Sequence, residues 1–233
     1  MIKFLKRGFA VLSGNLSISI SNFLISGILI SKNGLENYGL FVVLQSCYVI
    51  WITISKPVTW QTIVKFAPAF DLHTLTKASL RIEFIGALAS TAALVTTLSI
   101  LSFYYTWISN YLISILTILA GSLIVNNGTF LGYLRTNRNY STVASIQISS
   151  AILKVVASLT ISSNIETYFI ATVAIDIALW GTGITYTIYT HNPIKINRVN
   201  PAPSFHELVK FSYWGTFHAA LDLPVRQLDK ILI

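Results

Sequence analysis

Long apolar runs alternate with short polar gaps along almost the whole chain, and it is the runs that keep a uniform length. Those beginning near Phe9, Tyr38, Leu80, Asn110, Ser141 and Thr167 each continue for about 20 residues, which is what a helix needs to cross a hydrocarbon core roughly 30 Å thick. A seventh run begins near Leu208 and continues to Ile233. The pattern predicts an all-α, polytopic membrane protein. Residues 1–190 are expected to form a six-helix transmembrane bundle, residues 191–207 a cytoplasmic linker with Pro193, Pro201 and Pro203, and residues 208–233 the first helix of a second bundle.

The first run, VLSGNLSISISNFLISGILIS, alternates polar and apolar residues in its middle, as a barrel strand does. Barrel strands turn after about 10 residues, however, and this run continues for about 20 without a turn signal, so it is read as a helix. On that helix Ser13, Ser17 and Ser21 form one stripe, and Asn15, Ser19, Asn22 and Ser26 a second beside it. Two readings stand open: the wall of a water-filled cavity, or close helix packing through small residues. After the second run, Trp60, Ile63, Val64 and Ala67 share one helical face. They predict a short helix lying in the cytoplasmic interface with Trp60 as its anchor.

Composition agrees with the pattern. Charged residues are 10% and apolar residues 54% of the chain, with a mean hydropathy of +0.67, whereas an average soluble domain carries roughly 25% charged residues. A water-soluble fold of 233 residues has too little interior to hide that much apolar surface. The net charge of +8 comes from cations scattered between the runs, which argues for membrane topology and against a nucleic-acid partner.

Lys3, Lys6 and Arg7 precede the first run. Lys56, Lys65, Lys77 and Arg81 border the second gap, Arg135 and Arg138 fill the fourth, and Lys195, Arg198 and Lys210 border the sixth. The odd-numbered gaps hold only Lys32, with Glu36 and Glu166. Lys and Arg retained inside predict a multi-pass protein of the cytoplasmic membrane with its N-terminus in the cytoplasm. The opening MIKFLKRGF imitates a signal peptide, but its apolar run is too long and lacks a cleavage site, so it is read as an uncleaved first helix. The single cysteine, Cys47, excludes an internal disulfide. His73, His191, His206 and His218 have no partner at metal-ligand spacing, and neither a metal nor another cofactor is expected.

Ionisable groups inside a span cost at least about 2.5 kcal/mol each and need a reason. Lys154 lies about 13 residues into an outward-running span, roughly 20 Å from the cytoplasmic side, and Asp176 about 9 residues into the return span, roughly 14 Å from the outer side. Their depths nearly match, which predicts a buried ion pair between the fifth and sixth helices. In a transport reading, Asp176 titrates and releases Lys154 to an anionic cargo. In the seventh run, Asp222, Arg226, Asp229 and Lys230 recur at helical spacing on one face, with Pro224 among them to kink the helix. Such a stripe is expected to look into a cavity; the alternative is snorkelling to the outer interface.

Two stretches carry a resemblance. GLENYGLFVVLQS followed by WQTIVKF, and ELVKFSYWGTFHAALDLPVRQLDKILI, resemble the early part and the start of the second bundle of bacterial polysaccharide flippases. These are the O-antigen or repeat-unit translocases of the multidrug/oligosaccharidyl-lipid/polysaccharide exporter superfamily. The resemblance rests most clearly on Tyr38, Gly39, Phe41, Gln45, Trp60, Gln61, Gln227 and Asp229. It implies two helical bundles around a cavity that opens alternately to each side. The implied cargo is a polyprenyl-pyrophosphate-linked glycan for surface polysaccharide, with the lipid bilayer and other polysaccharide-assembly proteins as partners. Arg226, Lys230 and Lys154 would then meet the pyrophosphate, Asn126 and Asn127 the glycan, and Asp222, Asp229 and Asp176 would couple to an ion gradient.

Members of that family are about twice this length, so the chain is expected to be a fragment or truncated product that transports only with a second half-transporter. A cation extruder of the same superfamily is the nearest rival, but it is expected to hold more acid than base within its spans, whereas here the two balance. A glycan polymerase, an enzyme, is expected to carry a large loop on the outer side; the odd-numbered gaps are only about five to eight residues, and the chain is read as no enzyme. A non-transporting scaffold is a third class.

Overall fold

The computed structural model describes residues 2–102, 112–125, 127–181 and 204–231, and of these the side chains of 8–99, 113–125, 128–181 and 204–221. Helices α1 (Ile2–Ser55), α2 (Thr59–Phe66), α3 (Leu72–Ser102), α4 (Leu112–Ile124), α5 (Asn127–Thr136), α6 (Tyr140–Thr160), α7 (Ile165–Asp176) and α8 (Phe205–Ile231) make up nearly all of it. A five-residue π turn, Ile177–Gly181, continues α7. No strand occurs among the described residues.

Four helical stretches are long and apolar enough to cross a membrane: Gly8–Ser55, Leu72–Ser99, Ile113–Thr136 and Tyr140–Thr160. The first is 48 residues, over twice what one crossing needs, and it is broken at Gly34, whose φ of 80° and ψ of 170° lie where side chains are excluded. Gly34 thus divides α1 into a first arm, residues 2–33, and a second arm, residues 35–55. The expected linker over 191–207 falls mostly outside the described residues, although α8 already begins at Phe205.

Small polar residues are buried among the apolar core, while the exposed surface carries many large apolar side chains. On α3, Thr76, Ser79 and Glu83 are buried while Phe84, Ile85, Leu88 and Val95 are exposed. Elsewhere Ser114, Ser122, Ser158 and Ser212 have no exposed surface. Small hydroxyl residues let helices approach closely, and where the outside is apolar they find partners only inside. Several return their proton to the preceding helical turn, as Ser17 Oγ does to Ser13 O at 2.8 Å.

Helix α1 packs most extensively on α6, which its first arm meets at Gly14 and Lys32. The second arm packs on α7 through Phe41 and Tyr168, rings 5.2 Å apart, and through Tyr48 and Phe169, edge to face at 6.2 Å. Asn164 begins α7 by accepting from the Glu166 and Thr167 amides, and Asn139 begins α6 by accepting from Thr142. At the far end of α6 the carbonyls of Ser158 and Leu159 accept from Lys32 Nζ, which reaches them from the first arm at 3.4 and 2.5 Å.

The expected short helix exists as α2, but it is packed rather than laid on a surface. Thr59, Thr62 and Ile63 are buried. Its Trp60 backbone touches Gly132 on α5, where a Cβ would stand 2.8 Å from Trp60 Cα. The Trp60 ring lies under the Arg135 guanidinium at 4.6 Å. On the other side Thr62 and Ser212 of α8 share a hydrogen bond of 2.7 Å, and Lys65 Nζ sits 3.9 Å from the Phe211 ring. Of the anchoring face only Val64 is well exposed.

Candidate functional site

The first arm of α1 and α6 run side by side in the same direction, since Gly14 meets Ala144 and Gln147 while Lys32 reaches Leu159. Three cavities follow this seam. One of about 480 Å³ lies by Asn15, Arg135, Gln147 and Trp180. A second, of about 170 Å³, lies by Ser21, Asn22, Gln147, Lys154, Asp176 and Trp180. The third, of about 340 Å³, lies by Asn22, Ser26, Tyr38, Gln45, Lys154 and Tyr168. Gln147 and Trp180 belong to the first two and Asn22 and Lys154 to the last two, so the cavities adjoin as a track of mixed polar and apolar lining, with Arg135 or Lys154 at each.

The track settles the two stripes on the first arm. Asn15, Asn22 and Ser26 line it, as does Ser21 from the other stripe; Ser13, Ser17, Ser21 and Ser26 all also bond back to their own helix. The same helix therefore packs closely at Gly14 and opens to a cavity a quarter turn away.

Lys154 and Asp176 meet as the depth argument expects. Nζ lies 2.8 Å from Oδ1, with side chains 21% and 16% exposed. Ser150 Oγ adds a long contact to the same oxygen at 3.4 Å, and Tyr168 donates to the Lys154 carbonyl at 3.3 Å. Lys154 faces two cavities and Asp176 one, so loosening the pair would expose the cation to both. Gln45 Oε1 is buried at the third cavity without a hydrogen-bond partner among the described residues.

The other expected site residues are not brought to this track within the described residues. Asp222, Arg226, Asp229 and Lys230 all lie on α8, which runs through Pro224 as helix to Ile231, but their side chains are outside the described residues. Asn126 is likewise outside them, and Asn127 is known only as the first residue of α5.

A second charged centre escaped the sequence reading. The second arm of α1 stops at Ser55 and resumes as α2 at Thr59, and beside it α4 stops at Ile124 and resumes as α5 at Asn127. Between the two breaks lie Lys56 and Glu83, 6% and 1% exposed. Lys56 Nζ donates to the Val125 carbonyl at the end of α4. Glu83 Oε1 accepts from the Thr129 amide at 2.8 Å, within the first turn of α5, and from the Thr59 hydroxyl. Cation at a helix C-terminus and anion at an N-terminus are the signs the backbone dipoles favour. Gly128 leaves the carboxylate room, since a Cβ there would lie 2.5 Å from Glu83 Oε1.

Lys56 looked like the flank of a finished span, and Asn126 and Asn127 looked like binding amides. The available signals were Glu83 inside an apolar run and Pro57 and Gly128 at the breaks.

The class of protein defined so far is a helical body with a largely apolar exterior, a track of adjoining cavities with cations in their walls and a buried charged centre between broken helices. Compared with protein-family models, with curated proteins and with solved structures, the chain gives no significant match to any.

Proposed function

We propose that the chain is part of a membrane transporter of the polysaccharide-flippase kind, with six crossings in the described unit. Its cargo is a polyprenyl-pyrophosphate-linked glycan carried from the inner to the outer leaflet of the cytoplasmic membrane. The observation that carries the reading is the row of adjoining cavities with Arg135 and Lys154 in their walls, in a body whose outside is largely apolar. An anionic headgroup needs fixed cations once it leaves water. A glycan needs amides, hydroxyls and aromatic faces, which Asn22, Gln45, Tyr38 and Phe41 supply beside Lys154. In this mechanism the cargo's phosphate competes with Asp176 for Lys154, and protonation of Asp176 hands the cation over. Arg226 and Lys230 would extend the cationic surface from α8, and Asp222 and Asp229 would join the ion coupling.

The test is binding of a fluorescent polyprenyl pyrophosphate to the chain in lipid nanodiscs. Lys154→Gln is expected to weaken it about tenfold, equivalent to about 1.4 kcal/mol, and Asp176→Asn to strengthen it. Unchanged affinity in Lys154→Gln overturns the reading. The rival, a cation extruder, predicts the reverse: a lipophilic cation whose binding is lost in Asp176→Asn and kept in Lys154→Gln.

A further inference from the structure

The second oxygen of Glu83 is a buried acceptor that no group among the described residues satisfies. The side chain is 1% exposed. A carboxylate offers about four acceptor positions; the Thr59 hydroxyl and the Thr129 amide both bond to Oε1, the Thr129 hydroxyl also acts on the carboxylate, and Oε2 is buried with no hydrogen-bond partner among the described residues. Leaving a charged acceptor dry costs more than a lost hydrogen bond, so a fold that keeps such an oxygen has something else for it to hold.

Its surroundings are oxygen-rich. The hydroxyls of Thr59 and Thr129 lie 3.1 Å apart and converge on the carboxylate from α2 and α5. Two helices are interrupted at the same level, where backbone carbonyls lose their helical partners. Interrupted membrane helices that gather carbonyls and a carboxylate are a recurrent way of holding a small cation away from water. Lys56 is the one charged group among the described residues acting on Glu83. Its ammonium is held to the Val125 carbonyl at the end of α4, so a tethered cation already marks the spot. The remaining neighbours named above, Thr59 and Thr129, do not titrate in the accessible range.

The geometry points to Glu83 as an exchange site for a small monovalent cation, a proton or a sodium ion, with Thr59 and Thr129 as co-ligands and Lys56 as the resident counter-charge. The site is separate from Asp176. Filling it would neutralise the carboxylate that anchors the start of α5, and so loosen the hold between the two broken helices. For the proton, the step is transfer of H⁺ from hydronium to an Oε2 lone pair: one O–H bond of the hydronium breaks, the Oε2–H bond forms, and a water molecule leaves.

The whole chain in lipid nanodiscs is treated with dicyclohexylcarbodiimide, an apolar reagent that adds to a protonated carboxyl, and the modified residue is located by mass spectrometry. Glu83 is expected to carry the adduct at the acid end of a pH series and to lose about tenfold of it per pH unit once past its midpoint. If sodium is the ion, replacing choline by sodium at constant pH also suppresses the adduct; if the proton is the ion, sodium has no effect. An adduct absent from Glu83, or one on Glu83 indifferent to both pH and sodium, overturns the inference. Neither result depends on the cargo, so the outcome is independent of lipid-pyrophosphate binding.

Discussion

Two lysine–carboxylate centres lie among the described residues, built in opposite ways. Lys154 and Asp176 come from the bodies of two neighbouring helices, touch at 2.8 Å, and remain 21% and 16% exposed to the track beside them. Lys56 and Glu83 sit at 6% and 1% exposure, and each is bound to the cut end of a helix: the Val125 carbonyl for one, the Thr129 amide for the other. The first pair neutralises side chains with each other and is free to exchange partners; the second neutralises backbone ends and fastens the frame. A charge inside a membrane protein is therefore explained by what it is bonded to before its depth is considered.

The comparison is broken most directly at Glu83. Glu83→Leu strands Lys56 and uncaps α5, and it is expected to lower stability in detergent by about 3–5 kcal/mol, while Lys56→Met with Glu83→Leu recovers much of the loss. A Glu83→Leu protein that unfolds like the parent would show that the centre fastens nothing. Gly132→Val presses a side chain onto the Trp60 backbone, where nothing flexible can yield, and about 3 kcal/mol is expected from thermal unfolding. Lys154→Met is expected to cost about 2 kcal/mol, less than Glu83→Leu because the track admits water to Asp176. The double change with Asp176→Leu should return most of it, and a double-mutant cycle measures the coupling.

Two helix starts sharpen the contrast further. Asn164 caps the helix that carries Asp176, and Asn164→Ala should cost about 1 kcal/mol in the same assay. The smallest effect is expected at Asp71, which precedes the helix that carries Glu83. Partial burial raises the Asp71 pKa, but the Thr74 amide and hydroxyl, each 2.8 Å from Oδ2, outweigh it and hold the carboxyl below its ordinary range. A depressed folded-state value means that this contribution is present above the unfolded pKa and is lost as pH falls through the folded one. Asp71→Asn should accordingly flatten the acid limb of stability against pH below about pH 4, and an unchanged limb would remove Asp71 from the account.

What could be read from the chain differs between the two centres for a physical reason. Lys154 and Asp176 lie on helices joined by a short turn, so counting residues from each end places both at one depth. No such count reaches Lys56 and Glu83, because their meeting depends on breaks in two helices that hydropathy treats as continuous or finished. Ile113–Thr136 passes as one apolar span although α4 and α5 are separate. The stripe of Asn15, Asn22 and Ser26 was visible as a pattern, but the adjacency of α6 was needed to turn it into a wall. Trp60 was legible as an amphipathic position, but not its packing on Arg135 and Gly132, since periodicity locates a buried face without saying what covers it.

Lys32 carries a consequence for how such chains are oriented on paper. Its ammonium terminates α6, much as Lys56 terminates α4. A cation recruited to finish a neighbouring helix is fixed by that neighbour and has no vote in which leaflet its own loop prefers. With both struck from the count, the odd-numbered gaps hold no Lys or Arg that votes, while Lys65, Lys77, Arg81, Arg135 and Arg138 still sit in the even ones. The asymmetry becomes steeper with fewer ballots.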